Sequence, residues 1–229
     1  MIREEWSILS FSAKWLHEDK VVFKHTGGSG PAFVRKDYAL CEALWKLLDD
    51  ADIVVTQNGN AFDLKKINSR MLYHGIIPYS PVRTIDTLLV AKKHFAFTSN
   101  KLAWMSKHHT TQKKSEHKKF PGFELWSECL KDNPAAWREM KHYNSLDVLA
   151  TEELYLKMRP WIAGHPDVSV YTQEKHTCPK CGSGDVQCRG FAVTQTGKFS
   201  RLQCQMCGGW SRAKTNLLTR SERQFRLSN

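Results

Sequence analysis

Large apolar side chains alternate with small or polar ones between residues 6 and 13, and this alternation predicts a β-strand. A second strand is expected at residues 21–23, after a charged turn. Apolar residues then recur at helical spacing over residues 38–48, and the β-branched run at residues 52–56 is typical of a buried strand. Strands and helices therefore alternate along the chain, which predicts an α/β fold.

The following segments continue this alternation. Residues 62–74 predict a helix that ends at Gly75, and residues 81–85 predict a short strand. Asp86 is expected to be the N-cap of a helix that runs through residue 93, since its side chain can accept a hydrogen bond from a free backbone N–H.

The remainder of this region is expected to be mainly helical. Ser99-Asn100 predicts the cap of a short helix that ends near residue 108. Residues 107–119 are rich in lysine and histidine without periodicity, which indicates a basic loop that either lines a substrate strand or is simply solvated. Asn133-Pro134 is a strong helix start, and the helical pattern then continues to about residue 158.

The length of the chain allows more than one domain. Its 229 residues can form one full-sized core and a small appendage. Pro160, Gly164 and Pro166 mark the end of the long helical pattern. We therefore expect a large domain over residues 1–162, a linker over 163–175, a small domain over 176–215 and a basic tail over 216–229.

Composition excludes membrane and secreted classes at the level of sequence. No apolar run approaches the roughly 18 to 20 residues that cross a bilayer. The N-terminus carries acidic residues where a secretory signal would be apolar. The sequence therefore predicts a protein without a membrane partner, in a reducing compartment such as the cytoplasm.

The formal net charge of +11 is unevenly distributed. Residues 175–229 hold ten Lys and Arg against only Asp185 and Glu222. Such a segment favours a polyanionic partner, and since no amphipathic membrane helix accompanies it, nucleic acid is the expected one. A basic tail that only maintains solubility is the alternative.

Four of the seven cysteines form two matching C-x-x-C-G pairs, and this is the strongest local signal in the chain. The spacing is typical of a closed, structural Zn²⁺ site in a zinc ribbon; the ligands are expected to be Cys178, Cys181, Cys204 and Cys207. Two redox pairs are the alternative, but neither pair follows a βαβ pattern. The other three cysteines are expected to be free thiols.

The segment between the two cysteine pairs predicts a hairpin that turns at Thr196-Gly197. Basic and aromatic residues are interleaved here, among them Arg201 and Trp210, which we take as candidate contacts to a nucleic-acid strand. Alternatively, some of these aromatic side chains fill the core of the small module.

The candidate catalytic residues of the large domain are carboxylates. Asp63 follows the strand at residues 52–56 and begins a helix, which places it at the carboxyl edge of a sheet. Tyr143 and Asp147 are four residues apart and share one helix face. Carboxylates that converge can bind two divalent ions for phosphodiester hydrolysis. The alternatives are a helix cap for Asp63 and a solvated face for Tyr143 and Asp147.

The order and spacing of these residues resemble the DEDDy-type, DnaQ-like 3′→5′ exonucleases of the ribonuclease H-like superfamily. Residues 58–63 read N-G-x-x-F-D, like the second motif of this family, and residues 143–147 read Y-x-x-x-D, like the third. Residues 85–95 and 100–102 resemble its middle, including phage and polymerase-associated members. The resemblance covers most of residues 5–160 and implies a ribonuclease H-like mixed sheet flanked by helices.

This resemblance implies a Mg²⁺- or Mn²⁺-dependent 3′→5′ exonuclease linked to replication, with DNA the expected substrate. Asp63 and Asp147 would bind the metal ions and Tyr143 would orient the attacking water. The residues expected to contact a single strand or its 3′ end in this domain are Asn58, Phe62 and Lys101. A polymerase is an implied partner, and a viral member would act in the host cytoplasm.

One family feature is absent from the sequence. The first motif of the family is an Asp-x-Glu on the first strand, and no such pair stands there. Glu4 and Glu5 are adjacent and would point to opposite faces of a strand, while Asp50 and Asp52 precede the wrong strand. Loss of catalytic carboxylates costs several orders of magnitude in rate. The chain is therefore expected to begin at the second strand of the family's sheet, and an isolated chain of this kind can be inactive.

Three explanations remain open from the sequence: a truncated start, a split protein whose missing strand comes from a complementary chain, or a degenerate domain kept for binding. The first two predict an unpaired position in the sheet, which can pair with another chain. Two functions follow from them: an exonuclease, or a catalytically inactive nucleic-acid-binding or assembly module.

Overall fold

The computed structural model describes residues 5–112, 117, 119–171 and 177–227. The chain divides into two compact units, one ending at Leu156 and the other beginning at Lys157. The elements that begin in the first unit are, in order, β1 Ser10–Lys14, β2 Val21–His25, α1 Tyr38–Asp49, β3 Ile53–Thr56, α2 Asp63–Tyr73, β4 Arg83–Asp86, α3 Thr87–His94, α4 Leu102–His109, α5 Glu124–Leu130 and α6 Pro134–Met158, with a 3₁₀ turn at Pro31–Phe33.

The strands of the first unit form two separate ladders. β1 and β2 pair antiparallel, with Ser10 opposite His25. β3 and β4 pair parallel, with Thr56 opposite Asp86. Within the described residues neither β1 nor β3 has a partner on its other edge. Among the residues that the structure describes, the two ladders are not hydrogen-bonded to each other, so the single mixed sheet expected from the sequence is not confirmed.

Both ladders pack on the same helices. Phe11 of β1 lies in one apolar cluster with the buried face of α1, and Val54 of β3 packs against that cluster. On the opposite side of β1, the Asn144 amide of α6 donates to Ser10 Oγ over 3.0 Å, and Lys14 Nζ lies 2.6 Å from Glu152 Oε1. The first unit thus has helices on both faces of β1. Since successive side chains of a strand point to opposite faces, Phe11 faces α1, whereas Ser10 and Lys14 face α6.

Most helices predicted from the pattern are confirmed, including α1, α2 and α6. Gly75 follows α2 with φ of +66°, the left-handed conformation that ends a helix. Asn133 Oδ1 accepts from the Ala135 N–H over 2.9 Å, so the predicted start of α6 is also confirmed. The short helix α5 was not predicted, because seven residues are too few to show a period.

Three expectations need correction. β1 begins at Ser10 rather than near residue 6, because the Ile8 N–H donates to Asp37 and not to a strand. β3 was expected to be buried, yet its four residues are half-buried, since one edge of the strand carries no neighbour among the described residues. Ser99-Asn100 does not cap α4: the N-cap is Lys101, with no side-chain capping bond.

A buried ionic cluster ties the segment before β1 to α1 and α2. Asp37, which is fully buried, accepts two hydrogen bonds from Arg70, at 2.7 and 2.8 Å. The Asp37 carboxylate also lies 2.7 Å from His74 Nε2 and accepts from the Ile8 N–H over 2.8 Å. Cys41 Sγ lies close by, but the Arg70 guanidinium already occupies the carboxylate, so this is an ion pair and not a metal centre.

The second unit is built around a three-stranded antiparallel sheet. Its elements are β5 Val186–Thr194, β6 Gly197–Cys204, β7 Trp210–Arg212 and α7 Arg220–Gln224, with 3₁₀ turns at Arg159–Trp161 and Val168–Tyr171. The predicted hairpin is confirmed, and the sheet order is β5-β6-β7. Helix α7 falls in the expected basic tail; the capping box of Thr219 and Glu222 was the sequence signal for it.

Candidate functional site

The carboxyl ends of β3 and β4 lie side by side, as their parallel register requires. Asp86, at the end of β4, is buried and accepts hydrogen bonds from the backbone N–H groups of Asn58, Asn60 and Leu88, at 2.8, 3.2 and 3.0 Å. The predicted helix cap is therefore confirmed, and the same carboxylate also holds the loop after β3. Asn58 has φ of +65°, a conformation that asparagine tolerates better than most residues.

Asp63 is the first residue of α2. The N-cap of this helix is Phe62, which makes no side-chain capping bond, so Asp63 does not occupy the cap position itself. The side chain of Asp63 is exposed to solvent, yet surrounding protein atoms displace part of the water around its carboxyl group. This partial desolvation, together with the negative charge of Asp86, raises the pKa of Asp63 against the effect of its own backbone hydrogen bond.

A cleft of about 410 Å³ opens at this edge. Two of the predicted substrate contacts, Asn58 and Lys101, line it together, whereas Phe62 does not. Phe62 is 55% exposed, and the Lys66 ammonium lies 5.6 Å from the centroid of its ring. The other lining residues are Gln57, Leu88, Lys92, Asn100 and Leu102.

Gln57 and Lys92 are cleft residues that the sequence reasoning missed. The Gln57 side chain donates to the Asn100 carbonyl over 3.0 Å and accepts from the Thr87 hydroxyl over 2.5 Å. It therefore connects the residue after β3 with the first residue of α3 and with the segment before α4. Lys92 follows Leu88 by one helical turn, and this spacing was the available signal. The cleft therefore carries two lysines beside neutral amides, a combination suited to an anionic ligand.

Tyr143 and Asp147 lie on α6, the helix that covers β1. The Tyr143 ring packs edge-on against Trp126 and His117, with centroid distances of 6.0 and 5.2 Å. Tyr143 is therefore half-buried among aromatic rings rather than on a solvated face. Asp147 is half-buried too, one turn after Asn144, which contacts β1.

The carboxylates of the first unit are the type of ligand that Mg²⁺ and Mn²⁺ prefer, but among the described residues they do not together form a metal-binding cluster. Asp86 has both carboxylate oxygens engaged by amides, so Asp63 and Asp147 are the candidate ligands. Among the described residues, no group of three metal-binding side chains within 4.8 Å of one another includes either of them. By type, each of these two carboxylates could be one ligand of a divalent site, which prefers several carboxylates.

The four predicted cysteine ligands of the second unit converge. The sulfurs of Cys178, Cys181, Cys204 and Cys207 all lie within 4.8 Å of one another, with pairs at 3.6 and 3.7 Å. Tetrahedral Zn²⁺ with bonds of about 2.3 Å requires sulfurs about 3.8 Å apart. Two sulfur pairs already match this spacing, and the remaining pairs lie within about 1 Å of it, so the cluster fits such an ion.

The backbone around this cluster is arranged as metal-binding knuckles require. Gly182 and Gly208 have φ of +77° and +74°, and their N–H groups donate to the carbonyls of Cys178 and Cys204. Burial opposes ionisation of Cys204, but amide hydrogen bonds from Cys207 and neighbouring backbone groups lower its pKa. Such amides stabilise thiolate sulfur.

The remaining thiols do not contribute to either site. Cys41 and Cys129 are buried, and burial raises their pKa values to about 11 and about 12. Both thiols are therefore protonated at neutral pH and unreactive. Cys188 is exposed and lies outside the four-cysteine cluster, as expected.

The first unit is an α/β domain with a cleft at the carboxyl edge of its parallel strands. The second unit is a small β module with a four-cysteine cluster. A family model described as RNase_H superfamily matches residues 8–159, more than half of the chain. The chain belongs to the RNase H superfamily, which indicates a nuclease-like protein that acts on nucleic acid. We found no match among curated proteins or solved structures. None of the helices in the described residues is long and apolar enough to span a membrane.

Proposed function

We propose that this chain is a metal-dependent 3′→5′ exonuclease that acts on single-stranded nucleic acid, with DNA as the preferred substrate and replication as its setting. The observation that carries the proposal is the cleft at the carboxyl edge of β3 and β4. There Asp86 holds the loop that carries Asn58, and Gln57 fastens this loop to Asn100, next to Lys101, in a chain of the RNase H superfamily. Asp63 begins α2 directly after this loop.

In this proposal each side chain has a distinct task. Asp63 and Asp147 would hold Mg²⁺ or Mn²⁺, and the ion would supply Lewis acidity and offset negative charge on the phosphodiester. Tyr143, held by its aromatic neighbours, would orient the water that attacks. Lys92 and Lys101 would contact phosphate oxygens of the substrate strand, and Asn58 and Phe62 would position its terminal nucleotides.

The second unit would support this activity in a different way. Its four cysteines would bind a structural Zn²⁺, which closes the knuckles and leaves no open coordination position for catalysis. Arg201 and Trp210 would contact the nucleic acid that the first unit processes. A polymerase is the proposed protein partner.

The first experiment measures degradation of a single-stranded oligonucleotide by the full chain, with Mg²⁺, with Mn²⁺ and without added metal. A label at the 5′ end yields a ladder of shortened products if removal proceeds from the 3′ end, and DNA and RNA of one sequence give the preference. Asp147→Asn and Asp63→Asn are expected to lower the rate at least about 100-fold. Asp52→Asn, which neutralises an exposed carboxylate before β3, is the matched control.

A second candidate function is favoured by the divided sheet. The chain would be a binding or assembly module whose sheet is completed by a strand from a complementary chain or from a preceding segment. The inner edges of β1 and β3 have no partner among the described residues. In addition, Ser12 Oγ, Thr56 Oγ1 and Asn60 Oδ1 are buried without a hydrogen-bond partner, which is rare in a complete structure.

Amide hydrogen exchange tests this second candidate. The Thr26 N–H donates to the Leu9 carbonyl, so the backbone groups of Leu9 face β2. Because this direction alternates along a strand, those of Phe11 and Ala13 also face β2, whereas those of Ser12 face the open edge. The Ser12 amide is therefore expected to exchange much faster than the amide of Phe11. Equal protection would show that the edge is already filled, and metal-dependent cleavage by the isolated chain would show that no added strand is needed.

A further inference from the structure

One face of the β5-β6-β7 sheet concentrates two arginines and two aromatic rings. Arg201 of β6 lies directly opposite Arg212 of β7, and Gln203 lies opposite Trp210. Residues directly opposite each other project from the same face, and so do residues two apart on one strand. Phe199, Arg201, Trp210 and Arg212 therefore share one face, which we call the arginine–aromatic face.

The guanidinium groups of this face lie over its rings. The Cζ atom of Arg201 is 5.1 Å from the Trp210 centroid, and that of Arg212 is 4.3 Å from the Phe199 centroid. Arg201 Nε also donates to the Arg189 carbonyl over 3.0 Å. These contacts orient both planar cations on the sheet, which lowers the entropy cost of binding an anion there.

Among the described residues of the second unit, no carboxylate forms an ion pair with the arginines of this face. Like charges directly opposite each other, as those of Arg201 and Arg212 are, destabilise a sheet. Of the few acidic groups nearby in sequence, Glu222 is engaged in the capping box with Thr219. An external anion would relieve the repulsion between the two arginines.

The rings differ in what they can offer a ligand. The Phe199 ring folds over Gly197, where a Cβ atom would come within 2.6 Å of it, so Phe199 belongs partly to the core of the module. Trp210 is 45% exposed, and Arg201 and Arg212 are both exposed. The face therefore presents a half-exposed indole, with Arg201 over one part of its ring, beside a second oriented cation.

We propose that the arginine–aromatic face binds single-stranded nucleic acid, with Arg201 and Arg212 on successive phosphates and an unpaired base stacked at Trp210. A duplex does not fit, because its bases already stack on one another and expose no ring face to the indole. The inference rests on and deepens the nucleic-acid contact proposed above for Arg201 and Trp210; it concerns the second unit alone and holds whether or not the first unit cleaves.

The test is fluorescence anisotropy of a labelled oligothymidylate of about 15 nucleotides with the full, zinc-loaded chain, without Mg²⁺ or Mn²⁺, over a range of salt concentrations. Trp210→Leu is expected to raise Kd about 10-fold with no change in salt dependence, because stacking releases no counterions. Arg201→Ala is expected to raise Kd and reduce the slope of log K against log salt by about 0.7.

Two further variants separate the geometry of the face from charge alone. Arg220→Ala removes one exposed positive charge from α7 and is expected to leave both Kd and slope unchanged. Arg201→Lys keeps the charge but not the planar group, and is expected to retain the slope while weakening binding. Zinc content is measured for each variant. If Trp210→Leu loses the metal, the arginine variants and Trp210→Phe, which keeps a ring, decide the question.

Three outcomes would overturn the proposal. The first is wild-type affinity in the metal-retaining Trp210 or Arg201 variants, and the second is an equal loss in Arg220→Ala. The third is duplex DNA or polyglutamate competing as well as unlabelled oligothymidylate, which would indicate general attraction to polyanions or an acidic protein partner. Cleavage is measured separately with Mg²⁺, so failure of the exonuclease proposal and failure of this one are distinguishable.

Discussion

The Asp37→Asn substitution tests the buried ionic cluster at the start of the first unit. Asparagine has nearly the same shape as aspartate, so the change removes a charge without leaving a cavity. It leaves the Arg70 guanidinium, which is 4% exposed, without its counter-charge. It also weakens the acceptor of the Ile8 N–H, which fixes the segment before β1.

The expected loss in the free energy of unfolding is about 3–5 kcal/mol, because breaking one side of a buried ion pair leaves the other charge desolvated. Arg70→Met should cost a comparable amount. The double variant should lose much less than the sum of the two, since neither charge is then stranded. Glu42→Gln is the matched control: its ion pair with Lys46 is exposed at 3.8 Å, and such pairs contribute less than about 1 kcal/mol.

Urea unfolding followed by tryptophan fluorescence measures these differences, with the slope of each transition checked for constancy. With slopes of about 1–3 kcal/mol per molar urea, Asp37→Asn should lower the midpoint by about 1 M or more. A shift as small as that of Glu42→Gln would refute the reasoning. It would mean that the carboxylate and guanidinium are hydrated in solution rather than buried against each other.

Three further predictions follow from other contacts. Acid should weaken the same cluster, because hydrogen bonds from Arg70, Ile8 and His74 outweigh burial and lower the pKa of Asp37. The contribution of Asp37 to the free energy of unfolding is therefore complete above pH about 4 and is lost as the pH falls through the folded-state pKa. The urea midpoints of wild type and Asp37→Asn should converge at that low pH. Asp86→Ala should cost about 2–3 kcal/mol in urea unfolding, because three backbone N–H groups lose their acceptor, whereas Asp52→Ala should cost little. Cys178→Ser should abolish stoichiometric zinc in metal analysis and unfold the second unit, while Cys188→Ser should retain the metal.

Local features of this chain were predictable from its sequence. The period of apolar residues located α1 and α6, and capping chemistry identified Asp86 and Asn133 because each acts on an N–H two residues away. The paired C-x-x-C motif identified all four converging thiols. In each case the signal and the structure that it predicts lie within one turn or one knuckle of the chain.

Features that depend on long-range contacts were not predictable in the same way. Asp37 and Arg70 are 33 residues apart, and neither residue type indicates a buried partner by itself. The burial of β3 was overestimated because a β-branched run reports the character of a strand but not whether a neighbour lies on each edge. Gln57 enters the cleft through a hydrogen bond to Asn100, a contact set by tertiary packing.

The carboxylate of Asp86 has a consequence for how the cleft meets a ligand. Its hydrogen bonds from the Asn58 and Asn60 N–H groups hold the loop after β3 in one conformation before anything binds, and the one from Leu88 caps α3. A ligand that enters therefore need not order this backbone, and little conformational entropy is lost on that side of the cleft. Affinity then depends mainly on the long side chains of Lys92 and Lys101, whose rotamers become restricted on binding. The wall is rigid and the cations are adaptable, so anionic ligands of different shape can meet the same backbone.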